Sequence, residues 1–207
     1  MIFDEKKLSI HKKLRKNYDK ILKEVNDVYN EYELINPGIF DDAFTQENDK
    51  YGYYFINYYG NVTKNIFPTI ETIIRSEFCK EDVETCFVSI IDGKKDILEH
   101  RGPFKGLLRY HFTILSDGSD KNFLKVKDKH LFWREKEGFL FDDTFYHKAK
   151  KNTNGLRVVL ICDIKRKLPW ILDKYNLFCL RLLRNSEYVK IIQKELTLKK
   201  KNKIKVL

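Results

Sequence analysis

The feature that most limits the fold of this chain is a change in the spacing of its apolar residues near residue 80. Before that point, apolar side chains recur every three or four residues, as they do along one face of a helix. From residue 85 to residue 164 they alternate with polar side chains, and glycines separate the short alternating runs. Short strands with glycine turns and no intervening helical pattern are typical of an antiparallel sandwich or barrel. We therefore expect a mainly β fold with flanking helices.

The chain is expected to form a single domain over residues 1–207, because this length is ordinary for one domain. Residues 1–80 are predicted to form a flank with helices over 5–31 and 68–78. Its aromatic stretch 39–62 is interpreted as loop or short strands, and tyrosines 51–59 could line a groove or enter the core. The predicted β core covers residues 81–166, with strands at 85–91, 107–115, 123–126, 139–141 and 157–164.

Residues 167–207 are predicted to form C-terminal helices followed by a basic tail at 199–205. The helical spacing begins after Pro169 and continues to about Leu196. Apolar side chains of these helices are expected to pack against the rest of the domain: Trp170, Ile171, Leu180, Leu183, Ile191 and Ile192.

The charge of the chain is unbalanced, since 40 Lys and Arg residues against 30 Asp and Glu residues give a net charge of +10. This excess suits an anionic partner or surface, although a solvated lysine-rich surface would give the same total. The basic residues are dispersed outside the tail, so no specific nucleic-acid site is predicted. No apolar run approaches the roughly 18 residues of a membrane span, and no export signal is recognised. We expect a cytoplasmic protein, with peripheral contact with an anionic surface as its closest approach to a membrane.

Two arginines are predicted to point into the covered side of the sheet. Alternation places Arg109 and His111 on one face of the strand 107–115, and it places Arg157 on an otherwise apolar face of the strand 157–164. A buried guanidinium requires an anion, so two such cations fit a small dicarboxylate ligand. The alternative is that these arginines pair with carboxylates of the chain itself, at Asp142, Asp143 or Asp163.

Three histidines lie in or beside the predicted strands, at His100, His111 and His147. Two of them on separate strands could hold a divalent metal ion, because neutral imidazole is a ligand for iron, zinc and copper. Asp142 and Asp143 shortly precede His147. We interpret them as turn residues that bond to the backbone, and the alternative is that one supplies a metal-binding carboxylate.

Three motifs stand in order along the predicted core: HRGPFKGLLRYHFTIL at 100–115, WREKEGFLFDDTFYH at 133–147 and RVVLICD at 157–163. Together they resemble the aspartyl/asparaginyl β-hydroxylase family of Fe(II)/2-oxoglutarate-dependent dioxygenases. The gaps match as well, with eleven residues from His100 to His111 and ten from His147 to Arg157. The resemblance covers residues 80–165 and implies a double-stranded β-helix, the jelly-roll core that is also found in cupins.

The resemblance implies Fe(II) as the metal and 2-oxoglutarate and O2 as cosubstrates. His100 and His147 match the iron ligands at the catalytic centre. Four further residues are implied to bind or border the cosubstrate: Ser89, Arg109, His111 and Arg157. Of these, Arg157 and Ser89 match the pair that holds the distal carboxylate of 2-oxoglutarate, while Arg109 and His111 match residues beside the cosubstrate near the iron.

Gly102 stands where most dioxygenases of this kind have a carboxylate ligand. The peptide-hydroxylating branch of the family also has glycine there, with a water in the vacancy, whereas the lipid A 2-hydroxylase branch keeps an aspartate. By contrast, LLRYH and RVVLICDIKR look closer to the lipid branch. The implied function is hydroxylation of Asp or Asn side chains of a protein or peptide. The alternative substrate is a lipid acyl chain or another small molecule, and an iron-dependent halogenase or a non-catalytic basic binding module are further alternatives.

Overall fold

The computed structural model describes residues 1–36, 51–63, 65–196 and 199–201, and within 77–81 it describes the backbone alone. Residues 39–50 of the predicted aromatic stretch and residues 202–205 of the predicted basic tail lie outside the described residues.

The strands of the described chain form two antiparallel sheets. They are β1 (Ile2–Phe3), β2 (Tyr51–Tyr58), β3 (Asn61–Val62), β4 (Val83–Asp92), β5 (Lys95–His100), β6 (Leu107–Leu115), β7 (Phe123–Val126), β8 (Lys129–Phe132), β9 (Gly138–Phe141), β10 (His147–Lys151) and β11 (Leu156–Lys165). The larger sheet has the order β1-β9-β6-β11-β4-β2-β3, and the smaller sheet has the order β5-β10-β7-β8. This arrangement confirms the predicted mainly β jelly-roll core, and each of the five predicted strands is present with its ends displaced by at most two residues.

Strands β5, β8 and β10 were not predicted from the sequence. Their sequences, KDILEH, KHLF and HKAKK, carry many charged residues, so apolar alternation is weak in them. They become strands because each one hydrogen-bonds to a neighbour in the smaller sheet. In the aromatic stretch, β2 is one eight-residue strand that pairs with β4, so the larger sheet also draws on residues outside 81–166.

Three helices cover one face of the larger sheet: α1 (Ser9–Lys16), α2 (Tyr18–Glu31) and α3 (Pro68–Glu81). Their buried apolar residues, including Leu14, Ile21 and Ile70, pack with Tyr110 and Phe112 of β6. The opposite face of the larger sheet meets the smaller sheet through a second apolar cluster that is formed mainly by β7, β9, β10 and β11. The polar residues of β6 and β11 that share this second face therefore lie between the sheets.

The C-terminal segment forms two helices, α4 (Trp170–Arg184) and α5 (Glu187–Glu195). Val189 and Ile192 of α5 pack against Phe55 and Tyr58 of β2, which fixes this helix to the sheet. None of the described helices is both long enough and apolar enough to cross a lipid bilayer.

The predicted packing of these helices is partly wrong. Leu180 and Ile192 are buried and Leu183 is half-buried, as predicted. Three other apolar residues are exposed to solvent instead: Trp170, Ile171 and Ile191.

Candidate active site

A cavity of about 500 Å³ lies between the two sheets. Its volume is within the range of roughly 300–1,000 Å³ that is usual for small-molecule sites. The structure brings all six predicted site residues to its walls: Ser89, His100, Arg109, His111, His147 and Arg157. The smaller sheet contributes the two predicted iron ligands, and the larger sheet contributes the other four residues.

The two histidines of the smaller sheet face each other across neighbouring strands. His100 ends β5 and His147 begins β10, the two residues are register partners, and their ring centroids are 4.3 Å apart. The Nδ1 atom of His100 lies 2.8 Å from the carbonyl oxygen of Leu98, and that of His147 lies 2.9 Å from the carbonyl oxygen of Phe145. A carbonyl oxygen only accepts, so Nδ1 carries the proton of each neutral ring and Nε2 carries the lone pair. This is the tautomer that a metal-binding histidine needs.

The protonation state of His147 also fits a metal ligand. Burial of the ring, together with the neighbouring His100, lowers the pKa of His147 to about 4. The imidazole is therefore neutral near pH 7, as metal coordination requires. Within the part of the chain that the structure describes, no group of three or more His, Cys, Asp or Glu side chains is placed to hold a metal ion. The two-histidine ligand set fits iron and stays a prediction.

Arg157 provides a buried positive charge at the wall of the cavity. Its side chain is 3% exposed, and one of its terminal nitrogens donates a 2.7 Å hydrogen bond to Oγ of Ser89. The guanidinium also lies over the ring of Trp133 at 4.7 Å, whereas its Nε has no hydrogen-bond partner among the described residues. Burial lowers the pKa of Arg157 to about 10. No described carboxylate pairs with it, so this guanidinium has the chemistry to receive an anionic ligand.

Arg109 is different, because carboxylates of the chain neutralise it. Asp163 is its register partner on β11 and accepts hydrogen bonds of 2.8 Å from Nε and 3.1 Å from a terminal nitrogen. Asp143 lies 3.4 Å from the same guanidinium. Burial alone would lower the pKa of Arg109, but the two carboxylates raise it above its ordinary value. Pairing with the chain's own carboxylates thus holds for Arg109 and not for Arg157, and the cosubstrate contact of Arg109 stays a prediction.

His111 lies between the two arginines on the inner face of the larger sheet. Its ring packs against Phe139 and Phe141, with centroids at 5.1 and 5.3 Å. Burial lowers the pKa of His111 well below its ordinary value, and the nearby positive charges of Arg109 and Arg157 add to the shift. Neither ring nitrogen has a hydrogen-bond partner in the described part of the chain. A buried neutral imidazole of this kind requires a donor and an acceptor from whatever occupies the cavity.

Comparison with known proteins identifies the family of this chain. The aspartyl/asparaginyl β-hydroxylase family profile matches residues 15–167, which is more than half of the chain. The chain belongs to this family. An ornithine lipid ester-linked acyl 2-hydroxylase from Rhizobium tropici is similar, with 35% identity over 85 residues. That match covers 41% of this chain and 30% of the relative, so the chain matches less than a third of the relative's length.

A solved structure shows the same fold at low sequence identity. It is the prolyl hydroxylase from Trichoplax adhaerens in complex with a hypoxia inducible factor oxygen degradation domain peptide fragment. The TM-score is 0.52 at 11% identity, and the superposed region covers 86% of each chain. This likeness extends over most of the described elements and supports the jelly-roll assignment of this β-hydroxylase family member.

The space beside Gly102 is filled by a carboxylate from another segment. The amide of Gly102 donates a 2.8 Å hydrogen bond to the backbone oxygen of Asp143, which joins the segment after His100 to the segment before His147. A Cβ atom on Gly102 would lie only 2.2 Å from Oδ2 of Asp143. Burial raises the pKa of the Asp143 carboxyl, although Arg109 opposes the shift. In this family member, residue 102 therefore has no room for a side chain while Asp143 keeps its position.

The two aspartates before His147 have separate roles. The side chain of Asp142 accepts hydrogen bonds from the amide and hydroxyl of Thr144, at 3.1 and 2.6 Å, and it also pairs with Arg166. This confirms Asp142 as a residue of the turn. The Asp143 side chain instead contacts Arg109 and the space beside Gly102, so the turn interpretation does not describe its carboxyl group.

Several aromatic residues of the cavity were not among the predicted site residues. Trp133, which is 1% exposed, belongs to the apolar cluster between the sheets and also lies against Arg157. Tyr51 and Tyr53 line the cavity from β2, which agrees with the groove alternative for tyrosines 51–59, and their hydroxyl groups contact each other. If residues 51–58 are assigned to a strand, the two-residue spacing places Tyr51 and Tyr53 on the same face. No local pattern distinguishes Trp133 from an ordinary core residue.

Proposed function

We propose that this family member is an Fe(II)- and 2-oxoglutarate-dependent dioxygenase that hydroxylates a lipid acyl chain. The observation that carries the cosubstrate assignment is Arg157, a buried guanidinium that has no carboxylate partner in the described chain and shares a cavity with the His100–His147 pair. A small dicarboxylate fits this cavity, because one carboxylate would pair with Arg157 and the other would bind the metal held by the two histidines.

The residues of the chain would divide the work as follows. His100 and His147 would hold the iron through Nε2, because the Nδ1 atom of each ring is already engaged by a backbone oxygen. Arg157 and Ser89 bind the distal carboxylate, and Trp133 covers the guanidinium. Iron(II), when bound, supplies the activation of O2. Overall, 2-oxoglutarate becomes succinate and carbon dioxide, one oxygen atom of O2 enters succinate, and the other enters the new hydroxyl group of the substrate.

An apolar substrate is supported by the character of the cavity walls. Aromatic and aliphatic side chains from both sheets line them, among them Phe55, Phe87, Ile97 and Leu124. The charge of Arg109 is already neutralised by Asp163 and Asp143, so it offers little to an acidic side chain of a peptide. The similar protein from Rhizobium tropici is named as an acyl 2-hydroxylase of a lipid, which supports the same class of substrate.

Hydroxylation of a peptide side chain is the second candidate. Gly102 resembles the peptide-hydroxylating branch, as the sequence indicated. Arg101 is exposed beside the cavity, where its guanidinium lies 5.4 Å from the ring centre of Tyr146, and it could meet an acidic peptide.

Two experiments test the proposal in sequence. Anaerobic addition of Fe(II) and 2-oxoglutarate should produce a visible charge-transfer band, and the absence of this band with folded protein would refute the iron and cosubstrate assignment. Aerobic reactions with ester-acylated lipids and with Asp- or Asn-containing peptides should then be analysed by mass spectrometry. Gain of one oxygen atom in the acyl chain supports the lipid proposal, while gain of one oxygen atom in a peptide would replace it with the second candidate.

A further inference from the structure

The outer face of α4 carries a row of exposed apolar side chains. Ile171, Tyr175, Phe178 and Leu182 are each more than half exposed, at 61%, 67%, 57% and 58%. Their spacing of four, three and four residues places them along one side of the helix. We call these four residues the α4 apolar strip. Large side chains exposed singly are ordinary, but a contiguous row along a helix marks an interaction surface.

The opposite face of α4 is anchored to the rest of the domain, so the helix cannot rotate to bury the strip. The side-chain amide of Asn176 donates a 3.0 Å hydrogen bond to the backbone oxygen of Gly106, and Leu180 is fully buried. Arg184 forms an ion pair with Glu84 of β4. These contacts fix the inner face, and they keep the apolar strip pointed away from the domain.

The exposed charged side chains of α4 are positive. Lys174 and Arg181 are exposed, and with Trp170 they form a line along one flank of the strip. The ammonium group of Lys174 lies 5.0 Å from the ring centre of Trp170. Asp173 is the only acidic residue in the sequence of α4, and it is engaged by Lys165 at 3.3 Å on the anchored side. The exposed side of α4 therefore combines apolar and basic side chains without an acidic one.

Residues that follow the strip in the chain line the cavity. Leu183, which follows the last residue of the strip, lines the cavity wall, and so does Tyr188 at the start of α5. Tyr188 is also 56% exposed, and Ile191, one turn further along α5, is 58% exposed. A molecule that contacts the α4 apolar strip is thus adjacent to residues that border the candidate active site.

We infer that the α4 apolar strip and its basic flank dock this protein on an anionic lipid surface, and this inference rests on the proposed acyl-chain hydroxylation for its biological sense. An in-plane helix on such a surface has an apolar face in the acyl region and Lys or Arg residues at the headgroups. Trp and Tyr are also favoured at the boundary between headgroups and acyl chains. A stable protein interface buries roughly 800 Å² on each partner. One face of a 15-residue helix, which is about 22 Å long, offers much less area than that, so the strip suits a lipid surface better than a protein partner.

Docking in this orientation would place the cavity border next to the lipid. An acyl chain would then enter past Leu183 and Tyr188 without crossing bulk water. The apolar substrate would then pass directly from the lipid surface into the aromatic cavity.

The first test uses the unmodified protein and vesicles of phosphatidylcholine, either alone or mixed with phosphatidylglycerol. Sedimentation with the mixed vesicles, little binding to phosphatidylcholine alone, and weakening by added salt are expected. The chain has two tryptophans, and Trp133 is buried whereas Trp170 is 68% exposed. Emission should therefore shift to the blue and be quenched by doxyl-labelled lipid through Trp170. Absence of binding to the mixed vesicles overturns the proposal, even if the Fe(II) and 2-oxoglutarate band is present.

Matched variants then test which surface is responsible. The double variant Ile171→Ser/Phe178→Ser should lower the vesicle partition coefficient by about tenfold or more, whereas Leu98→Ser, which removes another exposed apolar side chain, should leave vesicle binding unchanged. Lys174→Glu/Arg181→Glu should lower it by a similar factor. Lys12→Glu/Lys20→Glu makes the same change in net charge on the N-terminal helices and should have a much smaller effect.

The remaining outcomes are equally decisive. The thermal transition of each variant shows whether it is folded. The Trp170 quenching measurement uses the unmodified protein, so it does not depend on the folding of any variant. Equal loss of binding in the α4 charge variant and in the N-terminal charge control would mean that net charge alone attracts the protein to lipid, which contradicts a defined docking face. A wild-type dimer in solution that becomes monomeric in Ile171→Ser/Phe178→Ser would assign the strip to a second copy of the chain and overturn the proposal. If docking is confirmed while the charge-transfer band is absent, the surface stands and the proposed enzymatic function fails.

Discussion

Replacement of Arg157 by Met gives opposite expectations for stability and for ligand binding. Methionine keeps an unbranched apolar stem of similar length and removes the charge. In the protein without ligand, Arg157 is buried beside Ser89 and Trp133 without a carboxylate partner among the described residues. Arg157→Met should therefore leave the folded protein nearly as stable as before, and it should remove most of the stabilisation by 2-oxoglutarate.

The magnitude follows from the contacts of Arg157. Burial lowers the pKa of its guanidinium from 12.5 to about 10, which at ~1.4 kcal/mol per pKa unit corresponds to a destabilisation of about 3 kcal/mol. The group stays protonated at pH 7, so this whole cost is present there. Arg157→Met removes this burial cost. It also removes the hydrogen bond to Ser89, which contributes about 1.5–3 kcal/mol, and the contact with Trp133, which contributes about 1–2 kcal/mol. The free energy of unfolding should change by only about 1 kcal/mol.

The ligand-bound protein should respond strongly. At a 2-oxoglutarate concentration of about 100 times its dissociation constant, the wild-type protein gains about 2.7 kcal/mol. Loss of one partner of a buried charge pair typically costs about 2–5 kcal/mol of binding, so the variant should gain less than about 1 kcal/mol at that concentration. Urea denaturation with Mn(II) as a redox-inert metal, with and without 2-oxoglutarate, measures both quantities.

Arg109→Met is the matched control. It leaves the buried Asp163 and Asp143 without their cation, so it should destabilise the ligand-free protein by about 3 kcal/mol, in contrast to the change of about 1 kcal/mol that is expected for Arg157→Met. An Arg157→Met variant that binds 2-oxoglutarate with the wild-type dissociation constant would show that the distal carboxylate binds elsewhere. A loss of about 3 kcal/mol or more in that variant without ligand would refute the reasoning about its buried charge.

Three further outcomes are expected. His147→Ala should fold but lose both the Fe(II)/2-oxoglutarate band and succinate formation, while His130→Ala, at an exposed histidine of β8, should retain them; full succinate formation by His147→Ala would disprove its assignment as a ligand. Gly102→Asp should lower the free energy of unfolding by about 1–3 kcal/mol because its Cβ would meet the Asp143 carboxyl, and Gly102→Asp/Asp143→Gly should recover most of that loss in thermal denaturation; no recovery would mean that another contact excludes the side chain. Lys151→Met should cost about 3 kcal/mol in urea denaturation, because the buried Lys151 ammonium bonds to three backbone carbonyl oxygens; a variant as stable as the wild type would show that these oxygens have other partners.

The sequence by itself determined the fold class and six of the residues that line the candidate site. Apolar alternation located the strands whose buried faces are continuous, and the ordered motifs located the histidines and arginines that the structure places around one cavity. Side-chain alternation also placed Arg109 and His111 correctly on the inner face of β6. These features depend on the two-residue period of a strand, which is a local property. Strands β5, β8 and β10 were missed because their formation depends on hydrogen bonds to neighbours rather than on their own apolar pattern.

Only the tertiary structure decided how the charges of the site are paired and which surface of the C-terminal helices remains exposed. Asp163 lies opposite Arg109 because of the register between β11 and β6, whereas Arg157 lies opposite Ile91 of β4 and has Ser89 as its hydrogen-bond partner. The sequence allowed either arginine to be the paired one, because cross-strand register joins residues that are distant along the chain. In the same way, α4 has apolar residues around much of its circumference, and its contacts with the domain selected the face that is buried. Burial and pairing are properties of the assembled layers, so no local pattern could have determined them.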